Sequence, residues 1–112
     1  MHELAIAQSI VDAVAERTQG TGVAVVHLRV GRLSGVVPDA LRFCFHLASD
    51  GTSLQGAVLD IQEPEGRGRC RDCEADFVLA DLILLCPCGS ADVEIYSGQE
   101  LSVQSVEVAA RV

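Results

Sequence analysis

Four cysteines constrain this chain more than any other feature. Two residues separate Cys70 from Cys73, one separates Cys86 from Cys88, and twelve lie between the pairs. Zinc takes four soft or borderline ligands in a tetrahedron, and two chelating pairs on separate turns supply them, because the second member of each pair closes only a short loop. Any fold of this chain must therefore bring Cys70-Arg-Asp-Cys73 and Cys86-Pro-Cys88-Gly89 together.

The stretch between the pairs, ADFVLADLILL, is rich enough in apolar residues to be expected as the hairpin of a zinc ribbon. The second pair is one residue shorter than the usual spacing. Its turn is therefore not expected to be the knuckle in which a backbone N–H bonds the first sulfur. Other donors are poorly placed: the histidines stand at positions 2, 27 and 46, and Asp72 and Asp92 offer oxygens that structural zinc uses less. A closed shell of four thiolates leaves no position for a water, which assigns zinc a structural role. Iron in a rubredoxin-like site, and a redox or disulfide pairing, are the alternatives. The 28-residue lobe 66–93 has little core of its own, so metal binding is expected to supply much of its folding free energy.

The chain of 112 residues has room for one modest core besides this lobe. Aromatics make up 4% and Trp is absent, so that core must be built from Val, Leu, Ile and Ala. From about His2 to Arg17, Leu4, Ala7, Ile10, Val11, Val14 and Ala15 recur near a 3.6-residue period, which predicts a helix stopped by Gly20 and Gly22. VAVVHLRV then alternates, with Ala24, Val26, Leu28 and Val30 on one face, and predicts a strand. Pro38 and Asp39 suit the first turn of a second helix running to about Ala48, with Leu41, Cys44, Phe45 and Ala48 on one side. AVLDIQE predicts a second strand with Leu59 and Ile61 inward. QELSVQSVEVAARV predicts a closing strand whose apolar phase changes, through a bulge near Gln104 and Ser105 or a switch of face. The expected fold is α+β: a small three-stranded sheet with two helices on one face, formed by 1–65 and 94–112, plus an inserted zinc-ribbon lobe at 66–93.

The amino terminus is the second chemical feature. A free Met1 amine, the His2 backbone nitrogen once deprotonated and the His2 imidazole form adjacent chelate rings, and Glu3 adds an oxygen. Nitrogen-rich sets of this kind suit Ni(II) or Cu(II). The ordinary reading of the same residues is a helix start, with Glu3 favourable against the helix dipole.

MHE at the start, FCFHL in the second helix and the two cysteine pairs followed by GSADVEI give the chain a family resemblance. It resembles the HypA/HybF nickel metallochaperones, which mature NiFe hydrogenase and, in some organisms, urease. The resemblance covers essentially the whole chain. It implies Ni(II) at the amino terminus, with His2 the principal side-chain ligand, Glu3 beside it and the Met1 amine as a donor. It implies structural Zn(II) on Cys70, Cys73, Cys86 and Cys88. It also implies transfer of nickel to a HypB-type GTPase, the hydrogenase large subunit or urease maturation proteins. The family more often has C-P-x-C-G where this chain has Cys86-Pro87-Cys88-Gly89.

The remaining residues suggest ordinary roles. Cys44 reads as a core residue, and His27 and His46 as surface or interface residues. The run Arg67-Gly-Arg69-Cys-Arg71 either touches nucleic acid or offsets thiolate charge and the acidic surface, and a net charge of -8 favours the second. No nucleophile triad, phosphate loop or spaced carboxylate pair points to an enzyme. The first residues lack a secretory signal and no apolar run is long enough to span a membrane, so a reducing cytoplasm is expected. A zinc-ribbon binding or regulatory protein without nickel function is the alternative reading.

Overall fold

The computed structural model describes residues 2–109. In chain order the elements are α1 (Glu3–Arg17), β1 (Val23–Val30), α2 (Pro38–Ser49), β2 (Val58–Gln62), β3 (Gly66–Cys70), β4 (Asp76–Leu79), β5 (Val93–Ser97) and β6 (Leu101–Val108). They form two three-stranded sheets, ordered β2-β1-β6 and β4-β3-β5. The architecture is the expected α+β, with two helices and a separate cysteine-bearing sheet. Among the described residues, no helix is long and apolar enough to cross a membrane.

The chain divides into two compact units. The first takes 2–28, 36–61 and 102–109. Within it, α1 carries Glu3 in its first turn and Arg17 in its last, each complementing the helix dipole. The helix ends where Gln19 and Gly20 turn to positive φ, 52° and 76°. It buries Ala7, Ile10, Val11 and Val14. The buried stripe is narrower than its sequence suggests, since Leu4 is exposed and Ala15 half-buried. Pro38 opens α2, which packs against α1 and buries Leu41 and Phe45, while Cys44 and Ala48 are half-buried beside them. From the strands come Val23, Val26, Leu28 and Leu59. Ala24, expected inward, is exposed, and Val23 is buried in its place. Along β6 every residue is exposed except a half-buried Val106, so neither phase of its alternation makes a buried face. A groove of about 350 Å³ lies between α1 and β6, lined by Ala13, Val14, Arg17, Val103, Gln104 and Val106.

The second unit takes 29–35 and 62–101, and so includes more than the stretch 66–93. Its central strand, β3, has the sequence GRGRC, and glycine is a poor strand former. Packing accounts for the glycine: a Cβ on Gly68 would lie 2.8 Å from Val93 Cγ1 and 2.9 Å from Leu79 Cδ1, so residues of β5 and β4 close over the bare backbone. Both partners run antiparallel to β3, with Gly66 opposite Leu79 and Cys70 opposite Val93. The expected hairpin within ADFVLADLILL does not form. Its first half supplies β4, which pairs back onto β3, and residues 80–85 form a loop that exposes Leu82, Ile83 and Leu85. At the other end of β3 the chain crosses itself tightly. Leu33 N–H donates to Gly98 O at 2.6 Å, and a Cβ on Gly98, at φ +106°, would stand 2.5 Å from Gly66 Cα. The unit's buried cluster is Leu33, Cys70, Leu79, Cys86 and Val93.

Candidate metal centre

Cys70 closes β3 and the chain folds back at once. Cys70 N–H donates to Ala75 O at 3.0 Å, Glu74 N–H to Cys70 O at 2.9 Å, and Cys73 N–H reaches Cys70 Sγ at 3.4 Å. Glu74 holds the turn at φ 62°. In the second pair Cys86 N–H donates to Ser90 O at 2.8 Å and Gly89 N–H to Cys86 O at 2.8 Å, with Gly89 at φ +96°. Cys88 N–H lies 3.4 Å from Cys86 Sγ. The shortened turn therefore does place a backbone N–H on its first sulfur, contrary to the expectation from spacing. The donor comes two residues on instead of three, and Gly89, free to adopt positive φ, completes the reversal.

These turns bring all four sulfurs within 4.8 Å of one another. Cys70 Sγ lies 3.8 Å from Cys88 Sγ, and Cys73 Sγ 3.5 Å from Cys86 Sγ. Thiolates about 2.3 Å from a tetrahedral zinc ion stand about 3.8 Å apart, so the donor set fits that metal's size and softness. No pair is bonded; all five cysteines are free. Cys70 and Cys86 are buried, Cys73 and Cys88 exposed.

The electrostatics follow from crowding. The Cys73 N–H, aided by that of Asp72, lowers the Cys70 thiol to about 7 against the opposing effect of burial. At Cys86 the Cys88 N–H also draws the value down, but burial and the three neighbouring sulfurs prevail and raise it to about 12. Four adjacent sulfurs cannot all ionise unaided, and a divalent cation removes that conflict. Two arginines of the basic run beside the site are engaged by carboxylates and a phenol. Arg71 pairs with Asp92 at 2.8 Å and Glu94 at 3.8 Å, and Arg67 with Glu65 at 3.0 Å and the Tyr96 hydroxyl at 2.9 Å.

The other predicted site residues lie in the first unit. His2 is the exposed N-cap of α1, makes no side-chain capping bond, and accepts Ile6 N–H on its carbonyl at 3.1 Å. Glu3 Oε2 lies 3.4 Å from the N–H of Val37, the N-cap of α2. Met1 lies outside the described residues. His46 is exposed, as expected. His27 is better connected than its sequence neighbours suggest: Nδ1 meets Asp60 at 2.7 Å and Nε2 meets Glu107 at 2.5 Å.

Comparison with known proteins fixes the lineage of this arrangement. The family described as "Hydrogenase/urease nickel incorporation, metallochaperone, hypA" matches residues 1–108. The chain belongs to the HypA family. It is 45% identical over 108 residues to the hydrogenase maturation factor HypA of Nostoc sp., covering 96% of each chain. To that of Geotalea uraniireducens it is 46% identical over 109 residues, covering 96% of this chain and 99% of the other. Its fold matches the solution structure of the Ni metallochaperone HypA from Helicobacter pylori, with a TM-score of 0.65 at 24% identity over 99% of this chain and 100% of that one. HypA membership makes this chain one of a family of nickel metallochaperones, and its second unit carries four cysteines gathered as a metal would need them.

Proposed function

We propose that this chain is a non-enzymatic Ni(II) carrier of the cytoplasm, working in the maturation of NiFe hydrogenase or urease. Ni(II) is bound by the Met1 amine, His2 and Glu3, and Zn(II) is held by Cys70, Cys73, Cys86 and Cys88. The HypA match across residues 1–108, which takes in MHE and both cysteine pairs, carries this reading. The division of labour has a physical basis. Donors at an exposed helix start, with His2 unengaged in capping, exchange a ligand faster than sulfurs clasped between two turns. Zinc supplies the charge that lets four adjacent thiols ionise and thereby joins the turns. A HypB-type GTPase and the hydrogenase large subunit are the proposed recipients.

Calorimetric nickel titration tests the reading. The protein is expected to take up one Ni(II) per chain at the amino terminus, and His2→Ala or an N-terminal extension to abolish uptake while zinc content stays constant. Unchanged nickel affinity in His2→Ala would leave a zinc-binding protein without carrier function.

A further inference from the structure

The zinc reading places the metal between two turns, and the turns are also joined by protein groups. Arg71, between the first pair of cysteines, donates its backbone N–H to Asp92 O at 2.9 Å and its guanidinium to Asp92 Oδ1 at 2.8 Å. Asp72, the next residue, accepts the Ser90 hydroxyl on Oδ2. Ser90 is connected in three directions. Its hydroxyl donates to Asp72, its Oγ accepts Asp92 N–H at 3.1 Å, and its carbonyl accepts Cys86 N–H at 2.8 Å. One side therefore holds the residue next to Cys73, and the other holds Cys86 itself.

We infer that the Asp72–Ser90 hydrogen bond is a clasp between the two turns, and that Ser90 is a positioning residue for the four-sulfur site. The inference rests on the zinc reading and deepens it. Cys86-Pro87-Cys88 has one residue fewer than the first pair with which to fix its own shape, and Pro87 lacks an N–H, so an anchor two residues beyond Cys88 matters more here. A hydroxyl bonded to a carboxylate is charge-assisted, hence directional and stronger than a neutral pair. Such partners leave the ligands unchanged and govern how long the metal is held; losing one typically costs 10- to 100-fold in metal affinity.

The test is zinc transfer from the zinc-loaded full chain to a coloured chelator, followed in time. Ser90→Ala and Asp72→Ala are each expected to release zinc about 10-fold faster. Ser90→Thr, which keeps the hydroxyl, and Asp72→Asn, which keeps an acceptor, are expected to stay nearer the wild-type rate. The double alanine variant should release no faster than the worse single one, because both remove the same bond. Cobalt-substituted Ser90→Ala should retain the absorption of a four-thiolate tetrahedron, separating faster release from loss of a ligand. Wild-type release rates in Ser90→Ala, or additive effects in the double variant, overturn the clasp alone. A wild-type protein whose cysteines hold no zinc overturns the zinc reading and the clasp with it.

Discussion

The two units of this chain bury different materials. In the first, Ala7, Ile10, Val11, Val14, Val26, Leu28, Leu41, Phe45 and Leu54 are each 7% exposed or less, a hydrocarbon interior drawn from two helices, a sheet and the turn after α2. In the second, two of the five residues in the buried cluster are cysteines, and its central strand contributes two glycines. Hydrocarbon burial stabilises without any partner from solution, at about 25 cal/mol per Å² of apolar surface. Sulfur clustered at 3.5 to 3.8 Å stabilises only when a cation removes the protons and the mutual repulsion. The first unit should be stable by itself; the second should be conditional on metal.

The largest expected effect breaks that comparison most directly. Stripping metal with a chelator should abolish hydrogen-exchange protection at Cys70, Glu74 and Cys86, whose N–H groups bond within the turns, and leave α1 and α2 protected. Structural zinc contributes about 10–16 kcal/mol of apparent binding free energy in small domains, so its removal should exceed any single substitution. Equal loss across both units would show that they do not differ in this way. Conversely, Phe45→Ala, at 2% exposure, should cost the first unit about 3–5 kcal/mol in urea unfolding. Zinc content and the exchange pattern of β3, β4 and β5 should not change. A Phe45→Ala protein that loses its zinc would mean that the second unit depends on the first.

The same contrast explains what the sequence reveals. Alternation from Val26 to Val30 and Pro38 before an apolar stripe mark β1 and α2 to within a residue, because local backbone preference and burial agree over most of each element. The cysteine spacing points to a four-sulfur cluster, and the fold does gather those sulfurs within 4.8 Å of one another. The second sheet was less legible. GRGRC alternates, but glycine with arginine, so its inward positions before Cys70 carry no apolar side chain and are covered instead by Leu79 and Val93, which close over Gly68. Leu33, far from the cysteines in sequence, is in their core. The Cys88 N–H bond to Cys86 Sγ depends on Gly89's φ, and the Asp72–Ser90 clasp on two side chains 18 positions apart. Nothing near His27 in sequence signals its partners, because Asp60 and Glu107 are 33 and 80 positions away. Pairing of this kind is set by strand order, which no local pattern encodes.

His27 gives the smallest expected effect, and it sharpens the comparison by giving the first unit a proton dependence of its own. The imidazole on β1 faces Glu107 on β6 through Nε2 and Asp60 on β2 through Nδ1, so it links the central strand to both edges. A neutral ring donates from one nitrogen only; satisfying both carboxylates requires the imidazolium. The hydrogen bond to Glu107, then that to Asp60, raises the His27 value above its ordinary 6.5, with desolvation acting the other way. A histidine raised in the folded state contributes stability that is fully present below 6.5 and is lost as pH rises through the folded value. Stability of the first unit should therefore decline as pH rises above 6.5 and through the raised folded value, and the decline should be shallower in His27→Gln. Since Cys70 also titrates in that window, the informative quantity is the difference between wild type and variant with zinc bound, followed by exchange in α1 and α2. All three side chains are partly exposed, at 32%, 53% and 62%, so solvent screening keeps the effect well below that of Phe45→Ala. Parallel pH profiles for wild type and His27→Gln would mean that the three strands are held by their ladder and hydrocarbon face, and that protons, like metal, matter only to the second unit.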